Sequence, residues 1–299
     1  MGAGVEYHRL STERSNPRSR DIDRLNALQI VRRINVEDRR VAPAVGRESS
    51  RIARAAELAA RALAAGGKLL LVGAGTSGRL AVLEAAECPP TFGTPPSQVR
   101  AVMAGGRTSV FRAREGAEDD PADGARQIAR LARPGDVVVG IAASGVTPFV
   151  RGALREAGRR RCRTVLVTSN RRPALGAEIV ISPAVGPEIL SGSTRLKSGT
   201  AAKLVLNALT TAAMIRLGKV YENRLVDLRP ASRKLRLRGI RIVGELAGCG
   251  PGKARAWFER CGGSVTLTVL CLRRGLEPAE GRKRLAAAAG SLRRALEVA

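Results

Sequence analysis

Residues Lys68–Cys88 read KLLLVGAGTSGRLAVLEAAEC. An apolar run, Leu69–Val72, is bounded by Gly66-Gly67 in front and Gly73 behind. That length and those flanks suit a buried parallel strand. Gly73-Ala74-Gly75-Thr76-Ser77-Gly78 follows, and then a helical pattern carrying Leu80, Leu83 and Ala86. A glycine loop between a strand and a helix N-terminus is an anion site, because N–H groups approach closely and the helix dipole favours negative charge. The spelling G-x-G-x-x-G also fits a dinucleotide, but that ligand asks for an acid at the end of the next strand. Here the next candidate, Val99–Ala104, runs into Gly105-Gly106-Arg107. A phosphorylated small molecule is therefore the stronger reading of this loop, and a tight turn without a ligand stays open.

Outward from this stretch, strands and helices alternate. Val99–Ala104, Val137–Ile141, Thr164–Thr168 and Glu178–Ile181 read as strands. Helices are expected at Ser77–Glu87, where Pro89 ends the helix, near Thr108–Glu115 and Pro121–Ala132, and at Pro148–Ala157 and Ser198–Leu217. Such alternation predicts a parallel sheet covered on both faces, with ligands at the carboxyl ends of its strands. Before it, Asp21–Asn35 reads as a helix capped near Ser19 or Asp21, with Ile22, Leu25, Leu28, Ile30, Val31 and Ile34 on a broad apolar face. Val41–Ala65 reads as a second helical stretch. From Ala231 only helices are expected, at Lys234–Ala247, Lys253–Cys261, Val265–Arg273 and Pro278–Val298. The division is a helical arm over 1–66, an α/β domain over 67–230 and a small all-helical domain over 231–299.

The 299 residues suffice for a sizeable core, and no run of 18 apolar residues offers a membrane span. No signal segment is apparent, which predicts a cytoplasmic protein. Five scattered cysteines without C-x-x-C spacing predict reduced thiols, with Cys162 as core packing. The lone histidine, His8, argues against a Ser-His-Asp triad or a histidine metal site. The formal charge of +26 suggests nucleic acid, but arginine is spread through every helix and aromatics make up 2% of the chain. The preferred reading is a solvated basic surface that draws in an anionic substrate, with no nucleic-acid partner. The C-terminal helices are read as dimer packing rather than a DNA reader.

Two further stretches echo the first loop. Asp136–Thr147 is a strand followed by Ser144, Gly145 and Thr147 at a helix start. Ser191–Thr200, with Ser193 and Thr194, opens the long helix, where an N-cap is the plainer reading. Three hydroxyl-rich stretches in one α/β sheet favour a phosphosugar site, with Gly75, Thr76, Ser77, Ser144, Gly145, Thr147, Ser193 and Thr194 as candidates. Two acids stand near these loops. Glu87, among Leu83, Ala86 and Cys88, is expected to have an apolar setting that raises its pKa and suits a general acid. Glu118 follows the second strand and serves as partner base if the fold joins the two loops.

GAGTSGR at Gly73–Arg79, AECPPTFG at Ala86–Gly93 and EGAED at Glu115–Asp119 resemble the N-acetylmuramic acid 6-phosphate etherases, a branch of the sugar isomerase (SIS) fold. The likeness extends through Thr12-Glu13, Asn16-Pro17, Glu37-Asp38, Val185–Glu188, Ser193–Lys197, Lys203–Asn207 and Gly262-Gly263. It implies a doubly wound, five-stranded parallel sheet flanked by helices, a small helical C-terminal domain, a cytoplasmic homodimer and no metal or cofactor. It also implies cleavage of the lactyl ether at carbon 3, giving N-acetylglucosamine 6-phosphate and D-lactate. Glu87 matches the acid that protonates departing lactate, and Glu118 the second carboxylate, the carbon-2 base. A non-catalytic phosphosugar sensor and a phosphosugar isomerase are the alternatives on this fold. The chain departs from the family at Ala86 (usually Ser), Val146 (Arg), Phe149 (Tyr) and Arg107 (Glu), and at Pro230 and Ser232 before the tail.

Overall fold

The computed structural model describes residues 10–171, 173, 175–227 and 232–297. His8, Pro230 and the expected boundary at 230/231 lie outside them. Two compact units are present: Met1–Ala86 with Pro96–Thr210, and Glu87–Pro95 with Thr211–Ala299.

In the first unit, β1 (Leu69–Gly73), β2 (Val99–Met103), β3 (Val137–Ile141), β4 (Arg163–Val167) and β5 (Ile179–Ile181) form one parallel sheet of order β2-β1-β3-β4-β5. Every residue of β1 and β3 is buried, so these strands read as unbroken apolar runs rather than alternating ones. Asp136 ties their starts together: its carboxylate accepts from Lys68 N–H at 2.8 Å and Arg133 N–H at 2.9 Å. The chain leaves β1 towards β2 on one side, while β3 lies on the other. The carboxyl ends of β1 and β3 are thus the topological switch point, where the crossovers part and leave a crevice.

One face of the sheet packs Leu70, Val72, Val138 and Leu166 against Ile128, Phe149, Val150 and Ala153. These come from α5 (Pro121–Leu131) and α6 (Pro148–Arg159). The two helices meet at glycines: a Cβ on Gly152 would lie 1.8 Å from the Pro121 carbonyl oxygen. Gly152→Ala is therefore expected to cost at least about 1–3 kcal/mol of stability. Gly158→Ala on the same helix, with nothing within 4 Å, should be neutral or mildly stabilising. Equal melting temperatures for the two variants would refute this packing. Cys162 is in the same core, and burial, then the Asp136 carboxylate, pushes its thiol up to about 11.

Several expected boundaries shift. The first helix is α1 (Ala27–Asp38), capped by Asn26 in a capping box with Gln29, and 17–19 and 22–24 are 3-10 turns. Asn26 outcompetes Ser19 and Asp21 because its side chain accepts the Gln29 N–H while Gln29 returns the bond. The stretch 41–65 is two helices, α2 (Val41–Gly46) and α3 (Ser49–Ala64), separated at Arg47-Glu48. The helix after β1 is α4 (Gly75–Phe92), which runs through Pro89 and Pro90. Prolines in a last turn forfeit only two hydrogen bonds, and Gly93, at φ 66°, ends the helix by donating its N–H to the Pro89 carbonyl. Between 107 and 115 only Arg107–Val110 is helical, as a 3-10 turn. The long helix is α7 (Lys197–Arg216).

In the second unit, a hairpin missed in the sequence, β6 (Val220–Tyr221) with β7 (Arg224–Leu225), precedes the helices α8 (Arg233–Ala247), α9 (Pro251–Arg260) and α10 (Val265–Arg274). The last expected helix is two, α11 (Pro278–Ala287) and α12 (Leu292–Glu297), because Ala289 and Gly290 take positive φ between them. Val243, Phe258, Val269, Leu270 and Leu292 form the core of this unit. No helix among the described residues is long and apolar enough to cross a membrane.

Candidate active site

The first loop owes its shape to glycine. A Cβ on Gly73 would sit 2.7 Å from the Gly78 nitrogen, and one on Gly78 would sit 2.8 Å from the Gly73 oxygen. That closeness brings α4 directly onto the end of β1. Gly75 opens the helix at φ 52°, so Thr76 and Ser77 occupy its first turn, where N–H groups have no partner within the helix.

The second loop follows β3. Gly145 takes φ 73°, and a Cβ there would meet Pro173 Cβ at 2.7 Å. Thr147 is the N-cap of α6, yet its hydroxyl makes no capping bond, which leaves it for a ligand. The Asn170 side chain donates to the Ser144 carbonyl at 3.1 Å and holds the loop from the β4 side.

The third stretch differs from the plainer expectation. The cap of α7 is the buried Glu188 carboxylate, which accepts from Lys197 N–H at 3.0 Å and Ser198 N–H at 2.9 Å. The hydroxyls of 191–194 are not needed as caps.

These loops converge on one pocket of about 290 Å³ at the switch point. Gly75, Thr76, Ser77, Ser144, Thr147 and Thr194 line it, as does Glu118. Gly145 and Ser193 shape neighbouring turns without lining it. Glu118 sits in a 3-10 turn, Ala117–Asp119, reached through Gly116 in the left-handed region. Partial enclosure raises its pKa above the ordinary carboxylate value, and the nearby Asp119 and Glu115 charges add to the rise. Glu87 does not line this pocket. It lies on the last turns of α4 in the other compact unit, exposed, beside an exposed Ala86 and a Leu83 that is 42% exposed. The apolar setting expected for it is absent in the single chain, because the face of α4 that carries it points to solvent.

The pocket also contains residues not singled out as site residues in the sequence: Glu13, Asp119, Val146, Pro148 and Gly192. Of the family departures, Val146 therefore falls in the pocket wall, whereas Phe149 is fully buried in the core. Among the described residues no group of His, Cys, Asp and Glu is placed to hold a metal.

Comparison with known proteins agrees with this architecture. Residues 51–157 match the family described as glucokinase regulatory protein N-terminal SIS domain. Over 274 residues the chain is 52% identical to the N-acetylmuramic acid 6-phosphate etherase of Symbiobacterium thermophilum, covering 91% of each chain. It is 50% identical to the etherase of Salinibacter ruber, over 98% of this chain and 95% of that one. The chain belongs to the N-acetylmuramic acid 6-phosphate etherase family. The etherase of Brucella anthropi is 49% identical over 97% of this chain and 96% of its own. Coverage at this level spans both compact units, so the family relation takes in the C-terminal helices as well as the SIS sheet.

Proposed function

We propose that this etherase-family chain cleaves the D-lactyl ether of N-acetylmuramic acid 6-phosphate. The observation that carries the reading is the meeting of three hydroxyl-bearing loops at the β1/β3 switch point with Glu118 on the same pocket wall. Thr76, Ser77, Ser144, Thr147 and Thr194 donate hydrogen bonds to phosphate and sugar oxygens, assisted by N–H groups of the α4 first turn. Gly75 and Gly145 give the loops their turns, and Ser193 completes the third. With the sugar ring open, the aldehyde acidifies the carbon-2 proton. Glu118 takes that proton, the carbon-3–oxygen bond breaks, and Glu87 protonates the departing lactate oxygen. Water then adds across the resulting double bond, its hydroxyl to carbon 3 and a proton to carbon 2. The products are N-acetylglucosamine 6-phosphate and D-lactate, and electrons balance without an oxidant or a reductant.

The same reading places the protein in the cytoplasm as a homodimer. The apolar face of α1 supports association: Leu28 is 59% exposed, Val31 62% and Val36 49%. An exposed helical stripe of this kind is covered in an assembly. A second copy also offers a way for an exposed Glu87 to reach a sugar.

The deciding experiment is D-lactate release from N-acetylmuramic acid 6-phosphate by the purified chain with EDTA present. Release at enzymatic rates is the expected result, and none would refute the reading. The match to the glucokinase regulatory protein domain favours one rival, a non-catalytic phosphosugar sensor. That rival predicts tight binding of the phosphosugar without lactate release.

A further inference from the structure

The N-terminal arm takes no part in the sheet, yet it is stitched to the third loop. Gly192 N–H donates to the Thr12 carbonyl at 3.0 Å, the Asn16 amide to the Pro187 carbonyl at 3.3 Å, and Ser19 Oγ to the Ile189 carbonyl at 2.8 Å. Behind these contacts lies a buried ionic cluster. The Glu37 carboxylate accepts from Lys197 Nζ at 2.7 Å, Asn16 Nδ2 at 2.9 Å and Arg18 Nε at 2.6 Å. Glu37 and Lys197 are each 1% exposed. Such a cluster adds little net stability over apolar packing of the same volume. Its evident effect here is geometric: it joins the arm, α1 and the start of α7.

What this geometry delivers to the pocket is Glu13. Its Oε1 accepts from the Thr12 hydroxyl at 3.2 Å, and its Oε2 lies 3.0 Å from where a Cβ on Gly192 would be. Thr12 is buried, so the residue next to Glu13 is anchored. Among the described residues no cation pairs with Glu13. A carboxylate only accepts hydrogen bonds, and it repels a phosphate dianion. A carboxylate on this wall is therefore matched to neutral hydroxyl donors rather than to a phosphate.

Resting on the phosphosugar reading of the pocket, we propose that Glu13 is a specificity-determining residue. Its carboxylate accepts hydrogen bonds from sugar hydroxyls, and the arm that carries it is a wall of the site. The buried Glu37–Lys197 pair acts through the arm as its positioning element.

The test compares Glu13→Ala and Glu13→Gln with the unaltered full chain. Calorimetry measures Kd for N-acetylglucosamine 6-phosphate and, separately, for inorganic phosphate. Sugar phosphate binding should weaken about 10- to 100-fold in Glu13→Ala, as expected for losing a charged acceptor. The amide of Glu13→Gln, with one acceptor oxygen, should fall between. Phosphate binding should be unchanged or tighter, and melting temperature unchanged because the side chain is exposed. Equal losses for both ligands, or unaltered sugar binding, would overturn the assignment. So would a fall in kcat with binding intact. Lactate release by the unaltered chain is a separate readout. If it is absent while the binding pattern holds, the Glu13 contact stands and the etherase reading falls. If it is present while the pattern fails, only the Glu13 proposal falls.

Discussion

Glu118→Gln should lower D-lactate release by two to four orders of magnitude, the usual contribution of a positioned general base, while phosphosugar binding changes only a few-fold. Glutamine keeps the size and the hydrogen-bonding oxygen of the side chain but cannot take a proton. Glu118 is the only one of the two expected catalytic acids that lines the pocket. Its raised pKa, from partial enclosure first and the Asp119 and Glu115 charges second, makes it a stronger base than an ordinary glutamate. A base must be deprotonated to act, so kcat/KM should fall with decreasing pH through a limb above the usual carboxylate range. Glu87→Gln should also stop lactate release, and isotope exchange separates the two roles. In heavy water, Glu87→Gln should still exchange the carbon-2 hydrogen of bound substrate, because proton abstraction precedes loss of lactate. Glu118→Gln should not. The opposite pattern would reverse the assignments, and full turnover in either variant would remove that residue from the mechanism.

The fold was largely legible because its decisive elements are governed by burial. β1 and β3 are covered on both faces, so they appear in the sequence as short apolar runs between glycines, and their carboxyl ends fix where a ligand goes. Boundaries set by competition between local interactions were less legible. Asn26 and Gln29 form a reciprocal cap that a simple search for Ser or Asp passes over. Pro89 looked like a terminator, but Gly93 ends α4 one turn later.

The candidate site divides along similar lines. Thr76, Ser77, Ser144 and Thr147 follow strands directly, so local sequence places them. Thr194 lines the pocket from a turn that does not cap α7, because the Glu188 carboxylate, from outside that turn, accepts the Lys197 and Ser198 N–H groups. Thr12-Glu13 carries the family likeness, but nothing local places Glu13 in the pocket: its position depends on contacts between the arm and the loop before α7, more than 170 residues apart in Asn16 to Pro187. Neighbours in sequence do not reveal the setting of Glu87: Leu83 and Ala86 are exposed with it, and of the three residues around it only Cys88 is buried.

Glu37→Gln should destabilise the protein by about 3–5 kcal/mol, because it leaves the Lys197 ammonium buried without a counter-charge. Arg18, half-exposed at 42%, can return to solvent when Glu37 is lost, whereas Lys197 at 1% cannot. Replacing both buried partners with apolar residues, Glu37→Leu with Lys197→Met, should recover most of the loss. Urea unfolding at neutral pH measures both variants against the unaltered chain. A double variant as unstable as the single would show that charge pairing is not the cause. Acid gives an independent check. The Arg18 hydrogen bond, followed by those from Lys197 and Asn16, lowers the Glu37 carboxyl from 4.5 to about 2. A carboxylate depressed in the folded state contributes stability that is present above its unfolded pKa and lost as pH falls towards its folded one. At about 1.4 kcal/mol per pH unit, some ~3 kcal/mol should disappear between pH 4.5 and pH 2, and this portion of the acid transition should be missing in the double variant. The same cluster anchors Asn16 and the start of α7. Partial loosening in Glu37→Gln should therefore reach Glu13 and Thr194 before it reaches the sheet: KM should rise under conditions where the SIS core is still folded.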